Sequence, residues 1–252
     1  MEILRSISDC RAWRRNARRA DPVGFVPTMG SLHAGHMALV RAARTRCRRS
    51  VVSIFVNPTQ FDDPDDLAQY PIAAEADRRA LEQAGVDALF VPSAEDIYPD
   101  RYRFRVSESE DSRVLCGAHR PGHFDGVLTV VLKLFNLIEP DQVFFGEKDF
   151  QQLKLIDDMV KAFHLPLEVV AVATVREADG LAMSSRNQRL GPAARSAAPL
   201  IHQLLNSDRD CREIRRALET AGFEVDYVEQ RWGRRLAAAR IDGVRLIDNV
   251  AL

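Results

Sequence analysis

The chain has 252 residues, 46% of them apolar and 28% charged, with a formal net charge of −1 at pH 7. That is the composition of a soluble globular protein, without the basic excess that a nucleic-acid or anionic-membrane binder needs. Cys10, Cys47, Cys116 and Cys211 lie far apart with no Cys-x-x-Cys pair, which argues against a zinc ribbon or disulfide scaffold and for a reducing, cytoplasmic setting.

No apolar run reaches the ~20 residues of a bilayer span. The first residues, MEILRSISDCRAWRRNARR, lack the apolar stretch of a secretory signal. The Arg-rich stretches Arg14–Arg19 and Arg41–Arg49 fall on predicted helices and read as solvated helix faces rather than nucleic-acid patches. In chain order, Val23–Val26 reads as a short buried strand, followed by a Gly-bearing turn, Pro27–Gly35, and a helix near His36–Arg48. Val51–Val56 is a second buried strand and Asn57–Phe61 the loop after it. A helix over Ile72–Ala84 stops at Gly85, and Asp87–Val91 is the next strand. Val127–Ile138 has apolar residues at helical spacing. Gln142–Phe145 is a strand, Phe150–Ala162 a helix and Leu167–Val175 a strand. Strands alternating with helices predict an α/β fold, a parallel sheet covered on both faces. Beyond about Arg176 the texture changes. Pro192–Leu205 and Cys211–Ala221 read as helices, and Leu236–Ile241 with Val244–Ile247 as a hairpin turning at Asp242-Gly243. The expected organisation is a first domain over 1–175 and a small α+β domain over 176–252.

The chemistry is written at strand ends. Pro27-Thr-Met-Gly-Ser-Leu-His-Ala-Gly-His36 lies between a buried strand and a helix, where open α/β sheets bind ligands and helix N-termini favour anions. It is neither a Walker A loop nor a Gly-x-Gly-x-x-Gly fingerprint. His33 and His36 stand three apart at the helix mouth, suited to hydrogen-bond a phosphate. Plain capping is the alternative; a metal site would need a third ligand, and no nearby Cys/His/Glu cluster supplies one.

Phe145-Gly-Glu-Lys-Asp-Phe-Gln-Gln152 repeats that position after a later strand. Lys148, one of only four lysines among 35 basic residues, is placed to reach a polyphosphate. Lys133, Lys154 and Lys161 read as ordinary surface lysines. Asp149 suits a helix cap or a ribose. In Met183-Ser-Ser-Arg-Asn-Gln188, two hydroxyls and a guanidinium suit outer phosphates or form a plain turn. Asn57 and Gln60 offer neutral amides to a hydroxyl or carboxylate ligand, or make an Asx-type turn.

Together PTMGSLHAGH, SIFVNPTQF, the Tyr70-Pro71 pair, CGAHRPGHFDGV, FFGEKDFQQL, DGLAMSSRN and the terminal RLIDN resemble the pantothenate synthetase family of the HxGH nucleotidyltransferases. The resemblance runs from about residue 20 to 190 and resumes at the C-terminus. It implies a Rossmann-type domain, a small C-terminal lid and a cytosolic homodimer. It also implies Mg²⁺- and ATP-dependent condensation of (R)-pantoate with β-alanine through a pantoyl adenylate, giving pantothenate, AMP and pyrophosphate on the way to coenzyme A. Carried over by residue, it assigns ATP to Pro27, Met29, Gly30, Ser31, Leu32, His33, Ala34, Gly35 and His36. Gly146, Glu147, Lys148, Asp149, Val175, Met183, Ser184, Ser185 and Arg186 complete the nucleotide site. His36, His33, Lys148 and Arg186 are the catalytic set, with His36 as the position usually given to a proton donor. Gln60, Gln152 and Asn57 hold pantoate or β-alanine. The resemblance implies no protein ligand to the metal, which sits on the phosphates.

The chain departs from the family at Thr59, commonly Met, and in a short C-terminal domain. Between Tyr227-Val-Glu229 and Arg234-Arg-Leu236 only Gln230-Arg-Trp-Gly233 remains. Two other functions fit parts of the pattern: an adenylyltransferase acting on a phosphorylated partner, and a non-catalytic nucleotide-binding subunit. The neutral amides argue against the first, the intact His33, His36, Lys148 and Arg186 against the second.

Overall fold

The computed structural model describes residues 1–17, 21–62, 64–68 and 70–252; Arg18 and Arg19 of the first Arg-rich stretch lie outside the described residues. Six strands form one parallel sheet: β1 Glu2–Leu4, β2 Val23–Thr28, β3 Arg49–Ile54, β4 Ala88–Phe90, β5 Gln142–Gly146 and β6 Glu168–Val172. Their spatial order is β1-β4-β3-β2-β5-β6, a Rossmann-like arrangement with β1 added at one edge. Along β2, Phe25 belongs to the core on one face and Val26 to the core on the other; Val51 and Val52 divide in the same way on β3. Burial on both sides is why these strands read as continuous apolar runs. The helix after β2, Ala34–Arg46, covers one face with Leu39, Val40 and Ala43. The helix after β5, Phe150–Ala162, covers the other with Leu153, Leu155 and Ile156.

A second, antiparallel sheet is built from β7 Glu224–Arg231, β8 Arg234–Ile241 and β9 Val244–Ala251. The expected Asp242-Gly243 turn is present, with φ of 53° and 71°, the left-handed pair of a type I′ hairpin. Trp232-Gly233 repeats it at 53° and 70°, so the short connection is a tight turn between two strands. This sheet has its own core around Ile201, Leu205, Ile214 and Leu218. It also packs Tyr227, Leu236 and Ala238 into the core of the first sheet.

Three elements correct the sequence reading. β1 was not expected: three residues carry no periodicity, and only pairing with β4 makes them a strand. β7 extends the predicted hairpin to three strands. The single helix expected over Pro192–Leu205 is two, Pro192–Ala197 and Leu200–Leu205, because Pro199 between them lacks an N–H. The second Arg-rich stretch is paired locally: Arg46 with Glu168, Arg48 with Asp21, and Arg49 with Asp21 and Asp87. Among the described residues no helix is long and apolar enough to cross a membrane.

Helix His123–Ile138 meets the loop after β3 at Gly126. A Cβ there would collide with the Thr59 carbonyl oxygen and stand 2.8 Å from the Gln60 nitrogen. Gly126→Ala is therefore expected to cost about 1–3 kcal/mol of stability through overpacking against backbone. Urea unfolding checks this; a wild-type midpoint would show that the loop yields freely.

Candidate active site

A cleft of about 250 Å³ opens where β2 and β5 lie side by side and their chains leave for opposite faces. The loop from Gly30 to Leu32 is held from behind. Asp77, buried on helix Ala74–Gln83, accepts the Ser31 and Leu32 N–H groups, both at 2.8 Å. His33 caps the next helix, its Nδ1 accepting from the Gly35 N–H at 3.1 Å, while His36 Nδ1 accepts from the His33 N–H at 3.3 Å. The two rings lie 4.1 Å apart. With each Nδ1 an acceptor, the proton of each neutral ring sits on Nε2. Capping thus uses Nδ1 of His33 and leaves the Nε2–H out of the cap.

Burial, then the charge of neighbouring Lys148, lowers the His33 pKa. Burial followed by His33 and Lys148 takes His36 down to about 3. Both imidazoles are accordingly neutral donors at pH 7. Lys148 faces them across the cleft. Lys133, Lys154 and Lys161 are each paired with aspartate, whereas among the described residues Lys148 has no ion-pair partner. Its loop is pinned from the second sheet, where buried Asn249 donates to the carbonyls of Glu147 and Lys148 at 2.9 and 3.0 Å.

Arg186 reaches the cleft from the loop after Ser184 and is held by Asp66 at 2.8 Å; Arg189 holds the other oxygen of Asp66 at 2.7 Å. Burial works upward on the Asp66 carboxyl, but the two guanidinium groups prevail and hold it below its ordinary pKa.

The opposite end of the cleft is built around Gln60. Its side-chain oxygen accepts from Asn57 Nδ2 at 3.0 Å, and its Nε2 lies 3.0 Å from Met29 Sδ. Its main-chain carbonyl accepts from His123 Nδ1 at 2.7 Å and from Arg120 at 3.3 Å. His123 Nε2, 3.2 Å from Arg120 Nη1, is then the acceptor. Burial, followed by Arg120, lowers this imidazole to about 4. Arg120 is itself paired with Asp62 at 2.7 Å. Of the two adjacent glutamines, Gln151 is buried and holds Cys116 N, Asp111 O and Val114 O, which leaves Gln152 to line the cleft. Val127, Val130, Val131 and Leu134, one stripe of helix His123–Ile138, form an apolar wall.

Most of the expected site residues converge on this cleft: Pro27, Met29, His33, Gly35, His36, Asn57, Gln60, Gly146, Lys148, Asp149, Gln152, Val175, Met183, Ser184, Ser185 and Arg186 all line it. Gly30, Ser31, Leu32 and Ala34 are not among the lining residues; the first three belong to the loop that Asp77 supports. Glu147 also does not line it, and its carboxylate is paired with Arg234 at 3.0 Å. Arg120, His123 and Tyr70 line the cleft without having been assigned a role. Their motifs, CGAHRPGHFDGV and Tyr70-Pro71, were visible, but a lone charged or aromatic residue in a loop names no ligand.

The sequence profile of the pantoate–β-alanine ligases matches residues 2–251. The chain belongs to the pantoate–β-alanine ligase family. It is 53% identical over 251 residues to the pantothenate synthetase of Bdellovibrio bacteriovorus, covering 100% of this chain and 99% of that one. It is 44% identical over 252 residues to that of Legionella pneumophila strain Lens, covering all of both chains. Among solved structures, the Francisella tularensis pantoate–β-alanine ligase, complexed with β-γ ATP and β-alanine, superposes with a TM-score of 0.95 at 38% identity. That match covers 100% of this chain and 97% of the other. The pantothenate synthetase of Thermus thermophilus gives 0.90 at 42%, covering 100% and 99%. The end-to-end Bdellovibrio and Legionella matches show that the compact length is shared by members of the family.

The neutral imidazoles have a consequence for stability. An unfolded histidine titrates near 6.5, His36 near 3 and His123 near 4 in the fold. Below pH 6.5 the unfolded chain therefore binds protons that the folded chain does not, and stability falls as pH drops toward those folded values. Each such ring contributes a slope approaching about 1.4 kcal/mol per pH unit. Urea unfolding from pH 7 to 5 should show the loss, and His36→Asn should make it shallower; an identical pH dependence in the variant would contradict the assignment.

Proposed function

We propose that the cleft makes its product in two steps, with a phosphate end and an acceptor end divided along its length. The overall activity is that of the family, ATP-dependent condensation of pantoate with β-alanine. In the first step the pantoate carboxylate attacks the α-phosphorus of ATP and pyrophosphate leaves. In the second the β-alanine amine attacks the acyl carbon of pantoyl adenylate; the C–N bond forms, the acyl C–O bond breaks, AMP leaves and the nitrogen gives up a proton.

The first step needs little acid–base work, because a carboxylate is already ionised at neutral pH. It needs alignment and neutralisation of the leaving group. Lys148, Arg186, Ser184 and Ser185 supply that from one side, and the Nε2–H groups of His33 and His36 from the other. His36 then acts as a neutral hydrogen-bond donor before it is ever a proton donor. Magnesium arrives on the triphosphate as part of the substrate and adds charge neutralisation there. Gly146, Asp149, Val175 and Met183 take the nucleoside, and the loop Gly30–Ala34 supports the phosphate contacts from behind. Glu147, turned to Arg234, serves the joint with the second sheet. Gln60 and Gln152 take the oxygens of pantoate, Asn57 stands behind Gln60 with its own amide already committed within the protein, and the valine stripe takes the geminal methyl groups. Arg120, the cation at the amide end of the cleft, takes the β-alanine carboxylate. Residues 176–252 act as the lid. We also carry over the homodimer and the cytosolic setting that the resemblance implies.

The observation that carries this reading is the division itself. Lys148 stands unpaired among the described residues at one end, and the other is lined by neutral amides. A phosphorylated acceptor would call for further cations where Asn57, Gln60 and Gln152 lie, and Arg120 there is already engaged by Asp62, His123 and the Gln60 carbonyl.

Pyrophosphate–ATP isotope exchange that requires pantoate but not β-alanine tests the first step. Lys148→Ala is expected to lower that exchange and kcat by about 100-fold or more, with an unchanged circular dichroism spectrum and melting temperature. A folded Lys148→Ala protein of wild-type rate would remove Lys148 from the mechanism.

A further inference from the structure

Behind Gln60, on the side away from the cleft, lies a buried hydroxyl group that the mechanism above does not use. Tyr98 is 8% exposed and does not line the cleft. Its ring is fixed between Phe55 and Tyr102, with Lys133 Nζ 5.0 Å from its centre. Its hydroxyl donates to Asn57 Oδ1 at 2.7 Å. The same oxygen accepts from Thr59 Oγ1 at 3.0 Å and from the Thr59 N–H at 3.3 Å, and the two hydroxyls lie 3.1 Å apart. Thr59 is where the family commonly has Met, so this chain brings an added hydroxyl to a point that Tyr98 already serves.

The two ends of a primary amide have nearly the same shape, and only hydrogen bonds tell them apart. At Asn57, 1% exposed, every donor lies at one end and every acceptor at the other. Oδ1 receives Tyr98 and Thr59; Nδ2 donates to the Gly126 carbonyl at 3.2 Å and to Gln60 Oε1 at 3.0 Å. Turning Asn57 over would set its NH₂ against the Thr59 N–H and two carbonyl-type acceptors against its oxygen. Such buried mismatches cost far more than a lost surface bond. With Asn57 fixed, the oxygen of Gln60 is committed to Asn57, and its NH₂ turns toward the cleft, where one hydrogen meets Met29 Sδ and the other is left for a ligand.

We propose that Tyr98 is a positioning residue for the acceptor substrate: acting through Asn57, it fixes the side chain of Gln60 with its NH₂ toward the cleft, so that the cleft offers a donor to an oxygen of pantoate. Thr59 is the second support of the same orientation. Burial pushes the Tyr98 hydroxyl up to about 12, so it stays a donor through the whole range in which the protein works. The proposal rests on the reading of Gln60 as a pantoate contact, and the test separates the two.

The experiment is steady-state kinetics on full-length protein with Tyr98→Phe, Gln60→Ala and the double variant, varying pantoate and ATP separately. Tyr98→Phe is expected to raise the KM for pantoate about tenfold, the worth of one buried hydrogen bond, with the KM for ATP changed less than about twofold. In the Gln60→Ala background the same substitution is expected to add less than about twofold, since its route to the substrate is gone. An unchanged pantoate KM in Tyr98→Phe overturns the proposal. So does a tenfold loss that persists without Gln60, or a parallel rise in both KM values, which marks general loosening. If Gln60→Ala itself leaves the pantoate KM unchanged, the pantoate reading of Gln60 fails and the proposal with it. Should Tyr98→Phe melt early, Thr59→Val removes a donor to the same oxygen without touching the buried ring. It is expected to raise the pantoate KM about threefold, and a wild-type value there overturns the proposal.

Discussion

The site depends on one topological constraint: β2 and β5 are neighbours in the sheet while the chain leaves them for opposite faces. A gap opens between the two departing segments, and the loops that begin there are the ones carrying His33, His36 and Lys148. No local conformation could bring these groups together. The parallel pairing Gly24↔Gln142 and Phe25↔Val143 does so by fixing the two strand ends at the same height. The supports follow from that placement. Asp77 holds the first loop by its N–H groups, and Asn249 holds the second by its carbonyls. Each loop is braced by an element outside the pair of strands that launches it.

Electrostatics divides the cleft as sharply as topology locates it. Three of the four lysines are neutralised by aspartate, and among the described residues the fourth, Lys148, has no ion-pair partner. Arg186 differs from Lys148 in that it is already paired, to Asp66. A phosphate arriving there gains only the difference between two charge-assisted pairs, whereas at Lys148 it gains the whole interaction less desolvation. The histidines contribute donors without contributing charge, because burial beside Lys148 keeps them neutral. At the far end the cleft is lined by the neutral amides Asn57, Gln60 and Gln152 beside Arg120, itself paired with Asp62. A carboxylate held by neutral amides keeps its nucleophilic oxygens free of tight ion pairing.

How much of this was legible in the sequence depended on whether the signal was local. The strand ends were readable because buried apolar runs give way to glycine, histidine and lysine at fixed places, and those loops lie where the parallel-sheet argument puts them. The tight turn at Asp242-Gly243 was readable for the same reason, since its chemistry lies in two adjacent residues. Asp77, Tyr98, Arg120 and His123 were not. Each is a single polar or aromatic residue whose meaning comes from a partner tens of residues away, Ser31, Asn57 or Gln60. β1 and β7 were missed on the same account, because three residues beside Arg5 and a charged strand such as EVDYVEQR become strands only through their neighbours. The break at Pro199 was local, and there periodicity on both sides masked the missing donor. Glu147 shows the opposite limit: a motif carries over a position, but the direction of its side chain was settled by Arg234, in the second sheet.

The compact second sheet ties itself to the first through polar and aromatic contacts. Asn249, 3% exposed, holds the Glu147–Lys148 loop of the first unit, and Asp248, 5% exposed, takes Arg176, the residue that leads into the second, in two bonds of 2.7 and 2.9 Å. Trp232, at the tip of the shortened connection, packs on Phe150 with ring centres 6.4 Å apart, while Arg234 covers the other contact of that ring at 4.3 Å. The short turn thus places an aromatic ring beside Phe150, the first residue of the helix that follows Lys148. Asp66 with Arg186 and Arg189 is the more exposed joint, its partners retaining 21%, 27% and 33% of their side-chain surface. Of these contacts it is Asn249 that binds the Lys148 loop directly, so the position of that lysine depends on the second sheet as well as on the strand that leads into it.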